Sequence, residues 1–193
     1  VANMPRLNSV AGGCPSLILE PQRTNLITQS EYFGGSDWIY VDTTATENAA
    51  ISPDGAQNAA RLDFTGTNIK RFEQNTSNAA TACTTSIYMK HIDHTIVMAR
   101  MDSTTGASYA WFDIQTGTVL KVGGFSGAVP DPIASVEDVG NGWYRFNTTQ
   151  ASMQSNQEIF WYFVPDTDTS TSAWTGNGSA YVYGAQFEES SYA

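Results

Sequence analysis

The sequence predicts an all-β sandwich or barrel, and three observations carry that prediction. Turn signals recur at short intervals: Ser52-Pro53-Asp54-Gly55, Thr104-Thr105-Gly106, Thr116-Gly117, Asn141-Gly142 and Thr175-Gly176-Asn177-Gly178. Between them lie short runs that alternate apolar with polar side chains, which is the period of a pleated strand. No stretch repeats Ala, Leu, Glu and Lys at the helical period.

In chain order, residues 16–20, 37–42, 59–64 and 69–74 carry the weaker strand chemistry. Residues 82–90, 95–101, 107–114, 142–149, 157–164 and 179–188 carry the stronger, being rich in residue types that suit a half-buried pleated surface. Pro53 and Gly55 fit a type I or II turn. Thr116-Gly117 and Asn141-Gly142 read as hairpin connections, since Gly and Asn tolerate left-handed backbone. Alternation then assigns faces. Cys83, Ile87 and Met89 oppose Thr84, Ser86, Tyr88 and Lys90. Phe112 and Ile114 oppose Tyr109, Trp111 and Asp113, and Tyr144 and Phe146 oppose Trp143, Arg145 and Asn147. The run Ile159-Phe160-Trp161-Tyr162-Phe163 is apolar on both sides, which predicts a central or covered strand.

The length of 193 residues and 41% hydrophobic content fit one domain over residues 1–193. The net charge of -10, from nine basic and nineteen acidic residues, repels phosphate backbones and anionic lipid. Nucleic-acid binding and membrane insertion are therefore not expected, and no apolar run approaches the ~20 residues of a membrane span. A neutral glycan remains compatible. Cys14 and Cys83 give neither a disulfide framework nor a zinc spacing and are read as two reduced thiols. The chain opens on Val1 and is expected to be a piece of a longer or processed polypeptide, with residues 1–15 an extended lead-in.

The run Gly13-Cys14-Pro15-Ser16-Leu17-Ile18-Leu19-Glu20-Pro21-Gln22-Arg23-Thr24-Asn25-Leu26 resembles the opening of a module widespread in bacteriophage structural proteins. The match continues through Ser30-Glu31, Trp38, Ser52-Pro53-Asp54-Gly55 and Ser86-Ile87-Tyr88-Met89-Lys90. It closes with Asp138-Val139-Gly140-Asn141-Gly142-Trp143-Tyr144-Arg145 and Tyr183-Gly184-Ala185-Gln186-Phe187-Glu188-Glu189. The resemblance implies a jelly-roll β-sandwich of the galactose-binding-like, carbohydrate-binding-module kind. It also implies a place in the virion, on a tail fibre, head fibre or decoration, assembled in the host bacterial cytoplasm. Expected partners are other virion proteins, further copies of the chain (a homo-oligomer, with a trimer as one form) and cell-surface or mucosal glycans. No catalytic residue carries over.

Tyr88, Trp111, Trp143, Arg145 and Trp161 are the candidate glycan contacts. Sugars stack apolar C–H faces on aromatic rings, and their hydroxyls need polar neighbours such as Asn147 or Gln186. The competing reading is that these aromatics pack under loops or against another subunit, as expected for Trp38 and Trp174. No cofactor is required, but Asp42, Glu47 and Asp54 are candidate ligands for a structural Ca²⁺, with Asp166, Asp168, Glu188 and Glu189 as further oxygen donors. His91 and His94 lack a metal-site pattern and are expected as solvated turn residues. Arg23 is expected in a structural ion pair. No nucleophile elbow, phosphate loop or triad signature is found, so the chain is read as non-catalytic. The alternatives are an architectural oligomerisation domain of a fibre, and an accessory carbohydrate-binding module of a polysaccharide-degrading enzyme.

Overall fold

The computed structural model describes residues 6–8, 16–18, 24–77, 81–103, 106–124, 131–152, 157–167 and 173–189. Among them every regular element is a strand. These are β1 (Arg6–Asn8), β2 (Ser16–Ile18), β3 (Ile39–Val41), β4 (Thr43–Ala50), β5 (Ala59–Phe64), β6 (Lys70–Thr76) and β7 (Cys83–His91). They continue with β8 (Ile96–Ser103), β9 (Gly106–Asp113), β10 (Thr118–Gly124), β11 (Ile133–Gly140), β12 (Trp143–Gln150), β13 (Gln157–Phe163) and β14 (Gly178–Glu188). Among the described residues no helix is long and apolar enough to cross a membrane. Cys14, Arg23 and Asp168 lie outside the described residues, as does the Thr104-Thr105 part of one turn signal.

Two six-stranded antiparallel sheets make the body, in the orders β10-β9-β8-β13-β6-β3 and β11-β12-β7-β14-β5-β4, and β1 pairs with β2 separately. Numbering β5 to β9 and β12 to β14 in chain order gives 1-8-3-6 in one sheet and 2-7-4-5 in the other. That order is the jelly-roll winding, two Greek keys wrapped as a sandwich. Strands β3, β4, β10 and β11 extend the four edges.

Alternation fills the space between the sheets. Leu62, Phe64, Ile87, Met89, Phe146, Val182 and Phe187 from one sheet meet Phe72, Val97, Phe112, Trp161 and Phe163 from the other. The rings interlock: Phe112 lies 5.1 Å from Phe146, and Phe64 lies 4.4 Å from Phe163. Ring pairs at such spacings add to the burial of apolar area. Tyr144 packs at the margin of this core, and Cys83 is a buried thiol within it. Ile27, Phe33 and Trp38 close one side, with Trp38 stacked on Phe33 at 4.8 Å. Trp174 packs against the same core and donates its indole N–H to Phe163 O at 3.0 Å.

His94 departs from expectation. Instead of a solvated turn residue it is an aromatic filler, stacked on Trp174 and edge-on to Phe64 and Phe163, with Nε2 2.8 Å from Ile96 O. The chain turns inward there because β7 and β8 belong to different sheets, so their connection crosses the end of the core.

Candidate functional site

The outward side chains of the two sheets have opposite characters. On the β10-β9-β8-β13-β6-β3 sheet, Met98, Tyr109, Trp111, Phe160 and Tyr162 form a second apolar layer. Trp111 is stacked on Tyr109 at 5.6 Å, lies 5.1 Å from the Lys121 ammonium, and is 5% exposed. Arg71 and Arg100 converge on the Tyr162 hydroxyl at 3.5 and 3.4 Å. Each also has a carboxylate of its own, Arg71 with Glu73 and Arg100 with Asp102, both at 2.5 Å. This face is covered and its described arginines are neutralised.

The β11-β12-β7-β14-β5-β4 sheet offers a more open surface. Arg145 on β12 lies in register with Tyr88 on β7, and Tyr88 with Tyr183 on β14. One row along, Asn147 faces Ser86, and Ser86 faces Gln186. That last pairing needs a bulge, because β14 uses three steps between Tyr183 and Gln186 where β7 uses two. Gly184 supplies the extra residue at φ 57°, a left-handed conformation that suits glycine. The bulge returns Gln186 to the outer face, beside Arg145.

Arg145 Nη2 donates to Gln186 Oε1 at 2.8 Å and to Ser86 Oγ at 3.1 Å. Its guanidinium carbon stands 5.7 Å from the Tyr88 ring centroid. Arg145 Nε and Asn147 Oδ1 are buried without a hydrogen-bond partner. Tyr88, Arg145, Asn147 and Gln186 are all partly exposed. The loop after β4 roofs one end of this face. Trp143 Nε1 donates to Ile51 O at 3.0 Å, and the Tyr183 hydroxyl donates to Asp54 Oδ2 at 2.9 Å. Asp54 also accepts from Ser52 Oγ, Ala56 N and Asn58 Nδ2. These donors, Ser52 first, hold its carboxyl well below the usual range. Burial, and then the bond to Asp54, push the Tyr183 phenol up.

Tyr88, Trp143 and Arg145 therefore share one face, as the alternation predicts, but two of the five candidates do not join them. Trp111 lies on the outer side of the opposite sheet, because β9 and β12 belong to different sheets. Trp161 points between the sheets and lies 6.3 Å from Phe112. Trp143 belongs to the roofed end and is 2% exposed. Ser86 and the Gly184 bulge complete the site. Only the break in alternation at Tyr183-Gly184-Ala185-Gln186 hints at that bulge in the sequence.

The three acidic candidates for calcium have different surroundings. Asp42 Oδ2 accepts the Asn68 backbone amide at 3.0 Å, Glu47 has its Oε1 buried without a hydrogen-bond partner, and Asp54 holds its own turn. Among the described residues, no group of three or more His, Cys, Asp or Glu side chains is placed to hold a metal ion. Beside Asp42, the Lys70 ammonium donates to the carbonyls of Gly66, Asn68 and Trp174 at 3.2, 3.0 and 2.5 Å.

No protein-family model matches the chain, and no curated protein matches it. Among solved structures, it is similar to the carbohydrate-binding module TmCBM61, solved with β-1,4-galactotriose, at 10% identity and a TM-score of 0.48; the match covers 86% of this chain and 99% of that one. A putative sugar-binding protein from Bacteroides thetaiotaomicron is similar at 9% identity and a TM-score of 0.46, over 86% and 100% of the two chains. The enzymatically active domain of tailspike protein 4 from bacteriophage CBA120 is similar at 12% identity and a TM-score of 0.47, over 84% of this chain and 21% of that one. The chain thus spans about a fifth of the tailspike chain it resembles.

Proposed function

We propose that this β-sandwich is a non-catalytic glycan-contacting module, and that its contact face is the Tyr88–Arg145–Asn147–Gln186 surface. The observation that carries the proposal is the pairing, on one partly exposed face, of an aromatic ring with a fixed set of donors and acceptors. A sugar presents apolar C–H groups to the ring and hydroxyls to the polar side chains. The sequence resemblance supports a place for the module in a bacteriophage tail or head fibre; attachment to a polysaccharide-degrading enzyme would use the same face. Screening the chain on a glycan array and titrating the hits by calorimetry tests the proposal. Tyr88→Ala is expected to weaken binding about fivefold or more, as loss of a central aromatic contact does. Silence across the array in a folded sample rejects the reading.

A second reading, self-association within a fibre, draws on another region. The edge strands β10 and β11 adjoin across the sandwich and expose Leu120 (43%), Val122 (37%) and Ile133 (71%). Apolar edge strands invite pairing with another chain. Light scattering on the purified chain, with Leu120→Lys as the disrupting variant, tests it; a monomer at high concentration rejects it.

A further inference from the structure

We infer that Arg145 receives a carboxylate, so that the glycans taken by this face are those bearing an acidic sugar; the inference rests on the glycan reading above. Four arginines have described side chains. Three pair with the acidic residue two positions on, which shares their side of the strand: Arg61 with Asp63, Arg71 with Glu73 and Arg100 with Asp102. At the fourth, the corresponding position holds Asn147. The contacts of Arg145 are all neutral, namely Ser86 Oγ, Gln186 Oε1 and the Tyr88 ring.

A partly buried guanidinium is costly unless its charge is met. In this protein of net charge -10, acidic partners are plentiful, yet Arg145 ion-pairs with no described residue. Glu137 lies opposite it in register on edge strand β11 and so shares its side of the sheet, but it is exposed and forms no ion pair with Arg145. Gln186 and Ser86 hold only Nη2, and Nε remains without a partner. The planar fork of a guanidinium matches a carboxylate bidentately, and such charge-assisted pairs are stronger than bonds to hydroxyls. Lys90, in the adjoining row with its ammonium 2.8 Å from Asn141 O, adds a second positive charge to the same face.

The test is an array in which each carboxylate-bearing glycan is printed beside its carboxyl-reduced form, probed with the wild-type chain, Arg145→Gln and Glu137→Gln. The expected result is binding to acidic members at least about tenfold tighter than to their reduced forms. Arg145→Gln should lose that preference. Glu137→Gln, an exposed edge substitution that leaves the core untouched, should strengthen acidic binding about two- to fivefold by removing a like charge. Equal binding to acidic and reduced forms overturns the inference and leaves the glycan reading standing. Absence of binding to either form overturns both. Thermal melts of each variant separate lost recognition from lost folding, and if Arg145→Gln fails to fold, Glu137→Gln decides alone.

Discussion

Lys70 shows how one side chain fixes local structure here. Its residue is fully buried, its ammonium meets three backbone carbonyls, and it stands 4.4 Å from the Trp174 ring centroid. An ammonium has as many N–H donors as this site has carbonyl acceptors, so the buried charge is fully hydrogen-bonded. The acceptors come from the turn before β6 and from the segment before β14, so the contact ties together two stretches distant in sequence. Lys70→Met keeps most of the stem's volume but removes the charged donor from all three carbonyls, of which Gly66 O and Asn68 O keep the Gly176 and Trp174 amides. A lost hydrogen bond from a charged donor costs about 1.5–3 kcal/mol, and less where the acceptor keeps another donor or reaches water. The expected loss of stability is about 2–4 kcal/mol, measured by urea unfolding monitored by fluorescence. An unchanged unfolding midpoint would show that the ammonium is not what holds these segments.

Strand β14 makes the corresponding point for an element. Gly184 adopts φ 57°, and a Cβ built there would come within 3.1 Å of Tyr88 Cδ2. A β-branched residue at such a position costs about 1–3 kcal/mol in backbone strain, and it would also push the Tyr88 ring. Gly184→Val is therefore expected to lower the melting temperature and weaken glycan binding together, whereas Tyr88→Phe should leave both nearly unchanged. Paired melting and titration experiments distinguish these outcomes. The same strand marks where the sequence stops being readable. Core strands such as β7 and β12 were legible because their inward residues are regularly apolar. Strands β4, β10 and β11 were not, since edge strands bury less and need no apolar row; Thr118–Gly124 is exposed nearly throughout. Alternation also says which residues share a face of one strand, but not which sheet that strand joins. Hence Trp111 and Trp143, both outward, were expected together and lie on opposite sides. The period gave no direction for Trp161, whose strand is apolar on both faces.

The whole molecule's response to acid combines groups that act in opposite senses. Burial holds the His94 imidazole below its ordinary range, so the unfolded chain binds that proton more readily. Stability from this group is present above about pH 6.5 and falls as pH drops through the interval down to its folded value. Asp54 is also held low by its donors, so its contribution is present above about pH 4 and is lost on further acidification. Glu47 and Glu73 are pushed up chiefly by burial, so the folded state binds their protons first. Acidification toward about pH 4.5 therefore favours folding through these two. Between about pH 6.5 and 4.5 the histidine and the glutamates compete, and below about pH 4 Asp54 is left unopposed. His94→Phe retains an aromatic ring in the niche formed by Phe64, Phe163 and Trp174 and removes the titration. In this variant, melting temperature should hold level or rise as pH falls from 7 to about 4.5, then drop. Asp54→Asn should start from a lower melting temperature at neutral pH, because the neutral amide is a weaker acceptor for Ser52, Ala56, Asn58 and Tyr183, and should show a shallower acid limb. Scanning calorimetry across the pH series measures both slopes; an acid limb in Asp54→Asn as steep as in the wild type would assign the loss of stability to other carboxylates.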